Sequence, residues 1–325
     1  MSSPTVLCLR PEADFARLDA LPPVSLAVTY VTPDDPALPQ RLKEARAVVI
    51  PAVGPKLPAA LFEGSAVRLV QVTGAGLDRL DQAGMTRLGI AVANVPGNNA
   101  VAEYAVTTAT LLLRRFLAAD AEIKRGNYSA VRARLIADNL SGLEGLTAGI
   151  VGFGVIGRAV AAAFHRAGCH IACHDPAPTD PQAVAALAAT SLGLHALLQQ
   201  ADIVSLHVPL LPSTTGLIGS RELALMKPAA VLIQAARGGV VDEAALAAAL
   251  KASRLGGAAV DVYSSEPPDV DNPLLALGGE AAQRLLLTPH IAGITRQSSA
   301  YLFRAAWQNV ERVVVRGEPP LHRAY

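Results

Sequence analysis

At 325 residues the chain is too long for one ordinary hydrophobic core and suits two domains. Half of it (51%) is apolar and only 17% is charged, which excludes a disordered or low-complexity protein. Twenty-eight Lys and Arg against 27 Asp and Glu leave a net charge of +1, so composition points to neither nucleic acid nor an anionic membrane as partner.

Residues 1–4 lack a basic stretch leading into a long apolar segment, so no secretory signal is expected. Three cysteines, Cys8, Cys169 and Cys173, are too few for a disulfide framework, and no apolar run reaches bilayer length. The expectation is a cytoplasmic protein. In chain order, residues 5–9, 26–31, 47–50 and 68–72 are short β-prone runs bounded by Pro, Asp and Gly. From about Asn98 to Phe116 the pattern is helical, closing on Arg114 and Arg115, cations that suit the negative end of a helix dipole. Strands are then expected at 146–151, 170–174, 203–207, 231–235, 258–262 and 285–288. Helices are expected between most of them, as at 155–167, 221–226 and 243–251, and a last helix at 295–316. Unbroken apolar strands alternating with helices mean a parallel sheet covered on both faces. The fold class is therefore α/β, in two domains.

The strand at 146–151 runs into G-x-G-x-x-G at Gly152, Gly154 and Gly157, followed directly by a helical pattern. Gly152 permits the tight turn, Gly154 lets the backbone approach a pyrophosphate, and Gly157 lets helix and strand pack closely. The helix N-terminus supplies free N–H groups to the phosphates. The next strand ends at Asp175, eighteen residues beyond Gly157. A carboxylate there accepts from the adenosine ribose hydroxyls and repels a 2′-phosphate, which favours NAD(H) over NADP. Within that strand Cys169, His170, Cys173 and His174 invite a metal reading. It fails because successive strand residues face opposite sides, so no metal is expected.

In a doubly wound sheet, ligands bind beyond the carboxyl ends of the strands. Arg237, Glu266 and His290 each stand just past one of three late strands. An arginine there can fork two hydrogen bonds onto a carboxylate and polarise the neighbouring carbonyl. A histidine can donate a proton to that carbonyl oxygen, and an adjacent glutamate favours the imidazolium and fixes its orientation. The chemistry that suits the three is hydride transfer between NAD and a 2-hydroxy acid, with the nicotinamide carrying the difficult step.

The stretches 74–78 (GAGLD), 94–98 (NVPGN), 149–157, 202–216 (DIVSLHVPLLPSTTG), 237–243 (RGGVVDE), 261–267 and 288–293 (TPHIAG) span most of the chain, and in order and spacing they resemble the D-isomer-specific 2-hydroxyacid dehydrogenases. The resemblance implies two doubly wound parallel-sheet domains, Rossmann-like or flavodoxin-like, with a cleft between them. Residues 1–98 and 295–325 would form the substrate domain, and 99–294 the NAD-binding domain. It implies Arg237, Glu266 and His290 as catalytic residues, with Val155 and Ile156 at the pyrophosphate beside the three glycines. His207, Val208, Pro209 and Thr214 would lie on the adenine side, and Ala235 and Asp261 would border the nicotinamide, with Ala236, Arg237, His290 and Gly293 among the cofactor contacts. Gly74, Ala75 and Gly76 would bind the substrate carboxylate together with Arg237 and His290. A homodimer formed through the cofactor domains is also implied. One departure is Gln234, where an Asn commonly stands.

The loop 51–55 is poor in charge, with Lys56 its nearest cation in sequence, which favours a small unphosphorylated 2-keto acid such as glyoxylate, hydroxypyruvate or pyruvate. Two other readings stay open. One is a dinucleotide-sensing protein like the corepressor relatives. The other is a phosphite-type dehydrogenase on the same fold. Glu266 argues against formate, whose family enzymes place glutamine there.

Overall fold

The protein is described here by a computed structural model covering residues 5–97, 99–177 and 180–325. The sequence readings on residues 1–4 and on Asn98 lie outside the described residues. The chain divides into two compact units, Met1–Gly97 with Ile294–Tyr325, and Asn98–Gly293.

The first unit is built on β1 (Thr5–Cys8), β2 (Ala27–Tyr30), β3 (Ala47–Ile50), β4 (Leu69–Val72) and β5 (Ala91–Ala93), parallel throughout in the order β2-β1-β3-β4-β5. That order is the flavodoxin-like form of a doubly wound sheet. Alternate strand residues serve opposite faces. Leu7, Val48, Ile50, Val70 and Val92 pack with Leu42, Phe62 and Met85, while Val6, Cys8, Val49 and Leu69 pack with Phe15, Phe303 and Trp307. Phe303 and Trp307 belong to the helix Arg296–Val314, whose first turn is capped by the Thr295 hydroxyl accepting from Ser298 N–H. Beyond it the chain lies along β5: Ala324 N–H donates to Val92 O, Val92 N–H to Tyr325 O, and Asn94 N–H to His322 O.

The second unit carries β6 (Thr147–Val151), β7 (His170–His174), β8 (Thr190–Ser191), β9 (Ile203–Leu206), β10 (Val231–Gln234), β11 (Gly257–Val260) and β12 (Leu285–Leu287). They are parallel, in the order β12-β11-β10-β9-β6-β7-β8. Numbered from β6, this is the Rossmann order 3-2-1-4-5-6 with one further strand, and the direction of winding reverses between β6 and β9. One face packs Val151, Val204, Leu206, Leu232 and Val260 against Leu197, Leu246 and Leu250. The other packs Ile150, Cys173, Ile203 and Ile233 against Ala105, Ala109, Val160 and Phe164. Cys169 and Cys173 are thus core residues, whereas His170 is exposed. No helix among the described residues is long and apolar enough to cross a membrane.

Some elements escape sequence patterning. β5 and β8 are only three and two residues long, of Ala, Val, Thr and Ser, and exist because β4 and β7 offer an edge to pair with. The helix read as continuing to about Phe116 ends at Leu113, because Arg115 takes a left-handed backbone (φ 50°) and starts a second helix, Phe116–Lys124. A third, Tyr128–Ala137, follows. Neither has a continuous apolar stripe, and both leave large apolar side chains outside: Phe116, Ile123, Tyr128 and Ile136 are exposed.

Candidate active site

The glycine-rich turn leaves β6 at the winding reversal. Gly152 has φ 91°, and a Cβ there would lie 2.5 Å from His207 O, so no other residue fits. A Cβ on Gly157 would lie 1.9 Å from Gly152 O, which is how the helix Val155–Arg166 comes so close to the strand. Gly154 differs: nothing lies within 4 Å of its Cβ position, and it stands exposed at the helix N-terminus beside exposed Val155 and half-buried Ile156. Open space over that backbone fits a pyrophosphate. Asp175, past β7, accepts from Phe153 N–H through Oδ2 (2.7 Å) and from Ala177 N–H through Oδ1 (2.9 Å). The acid expected at the ribose therefore also ties the turn to the end of β7.

Past β9, His207 N–H donates to Val151 O (2.7 Å), and its Nε2 lies 2.8 Å from Ser205 Oγ. Among the described residues its buried Nδ1 has no partner, and burial pushes the imidazole down to about 3, so it is neutral. Val208 is buried. Thr214 serves its own loop, donating to Pro209 O (2.6 Å) and accepting from Leu211 N–H (2.8 Å).

β10, β11 and β12 are adjacent, with Gln234 in register with Val260 and Val260 with Leu287. The residues just past them therefore stand side by side. Half-buried Ala235 and buried Ala236 lead to Arg237. The Gln234 side chain folds over this turn, donating from Nε2 to Arg237 O (2.9 Å) and accepting from Ala236 N–H (3.3 Å). Gln234 thus holds the turn from within. Gly238 packs so close that a Cβ would lie 1.7 Å from Tyr263 O. Glu243 pins the following loop, accepting from Ser264 N–H (2.7 Å), Ser264 Oγ (2.9 Å) and Asn272 Nδ2 (2.5 Å). That loop carries Glu266, whose Oε1 accepts from Tyr263 N–H (3.1 Å) and whose Oε2 lies 2.7 Å from His290 Nδ1. A carboxylate only accepts, so Nδ1 carries the hydrogen and Nε2 is the nitrogen left to exchange a proton.

His290 itself has φ 55°, a left-handed backbone uncommon for a side-chain-bearing residue. Its N–H donates to Asp261 O (2.8 Å). The Asp261 side chain, 1% exposed, accepts from Thr288 Oγ1 (2.5 Å) and Ile291 N–H (2.8 Å) at Oδ1 and from Ala292 N–H (2.8 Å) at Oδ2. It clamps the 288–293 segment, which ends at Gly293. Tyr104, on the helix Asn99–Leu113, reaches Thr288 Oγ1 at 2.8 Å. Sequence reasoning missed it, since 184 residues separate the two.

In the first unit, Gly74, Ala75 and Gly76 follow β4. Val95 N–H donates to Gly74 O (3.1 Å) and Asn94 Nδ2 to Ala75 O (2.8 Å). Among the described residues, the N–H groups of Ala75 and Gly76 meet no protein acceptor. The loop 51–55 is not held by Lys56, its nearest cation in sequence, but by Arg79. Arg79, 4% exposed, donates from Nε to Pro55 O (2.8 Å) and from Nη1 to Pro51 O (2.9 Å). Proximity along the chain did not reveal this cation.

Comparison with known proteins follows the same lines. The family model described as D-isomer specific 2-hydroxyacid dehydrogenase, NAD binding domain, matches residues 106–292. The chain is 35% identical over 234 residues to the D-3-phosphoglycerate dehydrogenase of Archaeoglobus fulgidus, covering 71% of this chain but only 42% of that protein. It is 38% identical over 249 residues to the (S)-sulfolactate dehydrogenase of Chromohalobacter salexigens, covering 76% of each. The apo D-mandelate dehydrogenase of Rhodotorula graminis superposes with a TM-score of 0.83 at 26% identity, over 100% of this chain and 98% of that one.

Proposed function

Because the chain belongs to the D-isomer-specific 2-hydroxyacid dehydrogenases, we propose that it interconverts a small 2-keto acid and the D-2-hydroxy acid, with NAD(H) as cofactor. The observation that carries this reading is the His290–Glu266 pair, 2.7 Å apart, in the sheet that also bears the glycine-rich turn. NADH, when bound, supplies the hydride. His290 Nε2 gives the proton to the substrate's carbonyl oxygen and recovers it in the reverse direction. Glu266 holds Nδ1–H and stabilises the imidazolium. Arg237 takes the substrate carboxylate as a bidentate partner. In the first unit, the Ala75 and Gly76 N–H groups suit an anionic acceptor such as a carboxylate, and Gly74 gives their loop its close approach to Ala52, 3.0 Å from its Cβ position.

The fit to NAD rests on open space at Gly154, the helix N-terminus beside it, and the acid at Asp175. The family model describes an NAD-binding domain over this region. Discrimination against NADP is assigned to the Asp175 carboxylate. In Asp175→Ser, losing the turn tether weakens both cofactors, whereas losing the charge favours only the phosphorylated one. The ratio of kcat/KM for NADH over NADPH is therefore expected to fall by roughly 10- to 100-fold, the size of a lost charged hydrogen bond. An unchanged ratio in steady-state kinetics would remove Asp175 from the selection.

The substrate is read as unphosphorylated, because Arg79 lies buried behind the 51–55 loop and bonded to its carbonyls, presenting no exposed guanidinium. The test is NADH oxidation, followed by absorbance, against glyoxylate, hydroxypyruvate, pyruvate, phenylpyruvate, 3-phosphohydroxypyruvate and 3-sulfopyruvate. Turnover with an uncharged-tail keto acid is expected. A clear preference for a phosphorylated or sulfonated acid overturns the substrate reading. Silence across the panel with NADH still bound overturns the reaction.

Exposed Phe116, Ile123, Tyr128 and Ile136 on the helices after Arg115 support a homodimer formed through the second unit. Sedimentation velocity is expected to give a dimer for the wild type and a monomer for Ile136→Asp. A wild-type monomer counts against it.

A further inference from the structure

On the reading that His290 carries the proton, we propose that Tyr104 and Thr288 are positioning residues for it, acting through Asp261. The three side chains form a chain with one sense. Asp261 only accepts, so the single hydroxyl proton of Thr288 goes to Asp261 Oδ1 at 2.5 Å. Tyr104 O–H must then donate to Thr288 Oγ1 at 2.8 Å. Burial pushes the Tyr104 phenol above its ordinary value, so it stays a donor at any working pH.

Asp261 ends the chain on the segment that matters. Its two carboxylate oxygens and its backbone carbonyl collect the N–H groups of His290, Ile291 and Ala292, each at 2.8 Å. Three consecutive donors ending on one residue fix the left-handed backbone of His290, a conformation that persists only where surroundings over-determine it. Thr288 is gripped at its other end too, since Tyr263 O–H donates to its carbonyl (3.0 Å) while Tyr263 N–H holds Glu266. Both halves of the His290–Glu266 pair thus hang from one hydrogen-bonded frame. The fold does not need the Tyr104 hydroxyl for this: the helix Asn99–Leu113 is already seated by Ala105, Ala109 and Leu112 in the core. What the hydroxyl adds is placement of the imidazole, where shifts of about 1 Å cost roughly 100-fold in rate.

The experiment compares Tyr104→Phe, Thr288→Val and Thr288→Ser with His290→Ala and wild type on whichever keto acid the panel identifies. Steady-state kinetics, NADH Kd by fluorescence and thermal melting are measured for each. Tyr104→Phe is expected to lower kcat about tenfold and Thr288→Val up to about 100-fold, with keto-acid KM, NADH Kd and Tm near wild type. Thr288→Ser, which keeps the hydroxyl, is expected to restore most of the loss. Wild-type kcat in both Tyr104→Phe and Thr288→Val, with His290→Ala inactive, overturns the positioning role and leaves the proton carrier standing. A Thr288→Ser as slow as Thr288→Val, or losses that track NADH Kd and Tm, also overturns it. His290→Ala with wild-type turnover overturns the reading beneath it. Should Thr288→Val fail to fold, Tyr104→Phe, which removes a single oxygen, carries the test.

Discussion

His290→Ala is expected to lower kcat by about 10²- to 10⁴-fold, the usual worth of a positioned acid–base group, while NADH Kd stays within a factor of about two. Three other ionisable groups of the second unit are already committed. His207 is neutral above about pH 3 and its Nε2 is occupied by Ser205. Tyr104 is held as a donor to Thr288, and Asp261 is saturated by N–H and O–H donors. Glu266→Gln is expected to fall between wild type and His290→Ala, because the amide still orients Nδ1 but no longer stabilises the imidazolium. Single-turnover stopped flow separates the hydride step from NADH binding, and wild-type turnover in His290→Ala would transfer the role elsewhere.

Arg237→Ala is expected to lower kcat/KM by roughly 10²- to 10⁴-fold. Two charge-assisted hydrogen bonds to a carboxylate are worth about 1.5–3 kcal/mol each, and each 1.4 kcal/mol is tenfold. The loss should appear in both kcat and keto-acid KM, because the guanidinium both binds the carboxylate and polarises the carbonyl beside it. Arg237→Lys keeps the charge without the planar fork and is expected to recover only a minor part. The side chain gives the surrounding turn one bond, Arg237 Nη1 donating to Ala236 O (2.6 Å), and the rest of the turn is held from elsewhere. Gln234 closes it through the Arg237 carbonyl, and Gly238 seats it against Tyr263 O. An Arg237→Ala protein should therefore melt as wild type does, and one that loses activity together with several degrees of Tm would reveal a structural residue instead.

The glycine-rich turn was legible in the sequence because its constraints are local. Gly152, Gly154 and Gly157 occupy one short stretch, with the positive φ of Gly152 and the contact of Gly157 on Gly152 O both inside it, and Asp175 follows one strand later. The pairing of Glu266 with His290 was legible by a different rule, that residues past adjacent strands of a doubly wound sheet meet. The pair distance of 2.7 Å between Glu266 and His290 is what that rule yields when the strands are neighbours. The frame behind them was not legible. Tyr104 and Thr288 read as an ordinary helix residue and an ordinary turn residue until the sheet is folded, and Glu243 read as part of a motif with no stated task. Arg79 was hidden for the same reason, since its acceptors at Pro51 and Pro55 precede it by 28 and 24 residues. The helices at 116–137 escaped because periodicity reports burial against the same chain, and their apolar residues face outward.

The seam between β5 and residues 322–325 bears on how the protein ages rather than on how it works. β5 is the outermost strand of its sheet, and the returning tail occupies hydrogen-bonding groups that an edge strand otherwise offers to any passing chain. Deleting residues 322–325 would touch no proposed catalytic group, yet it would strip the donors and acceptors at His322, Ala324 and Tyr325 from Val92 and Asn94. Such a preparation keeps its specific activity at first and then loses soluble protein on storage, as bare edges find one another.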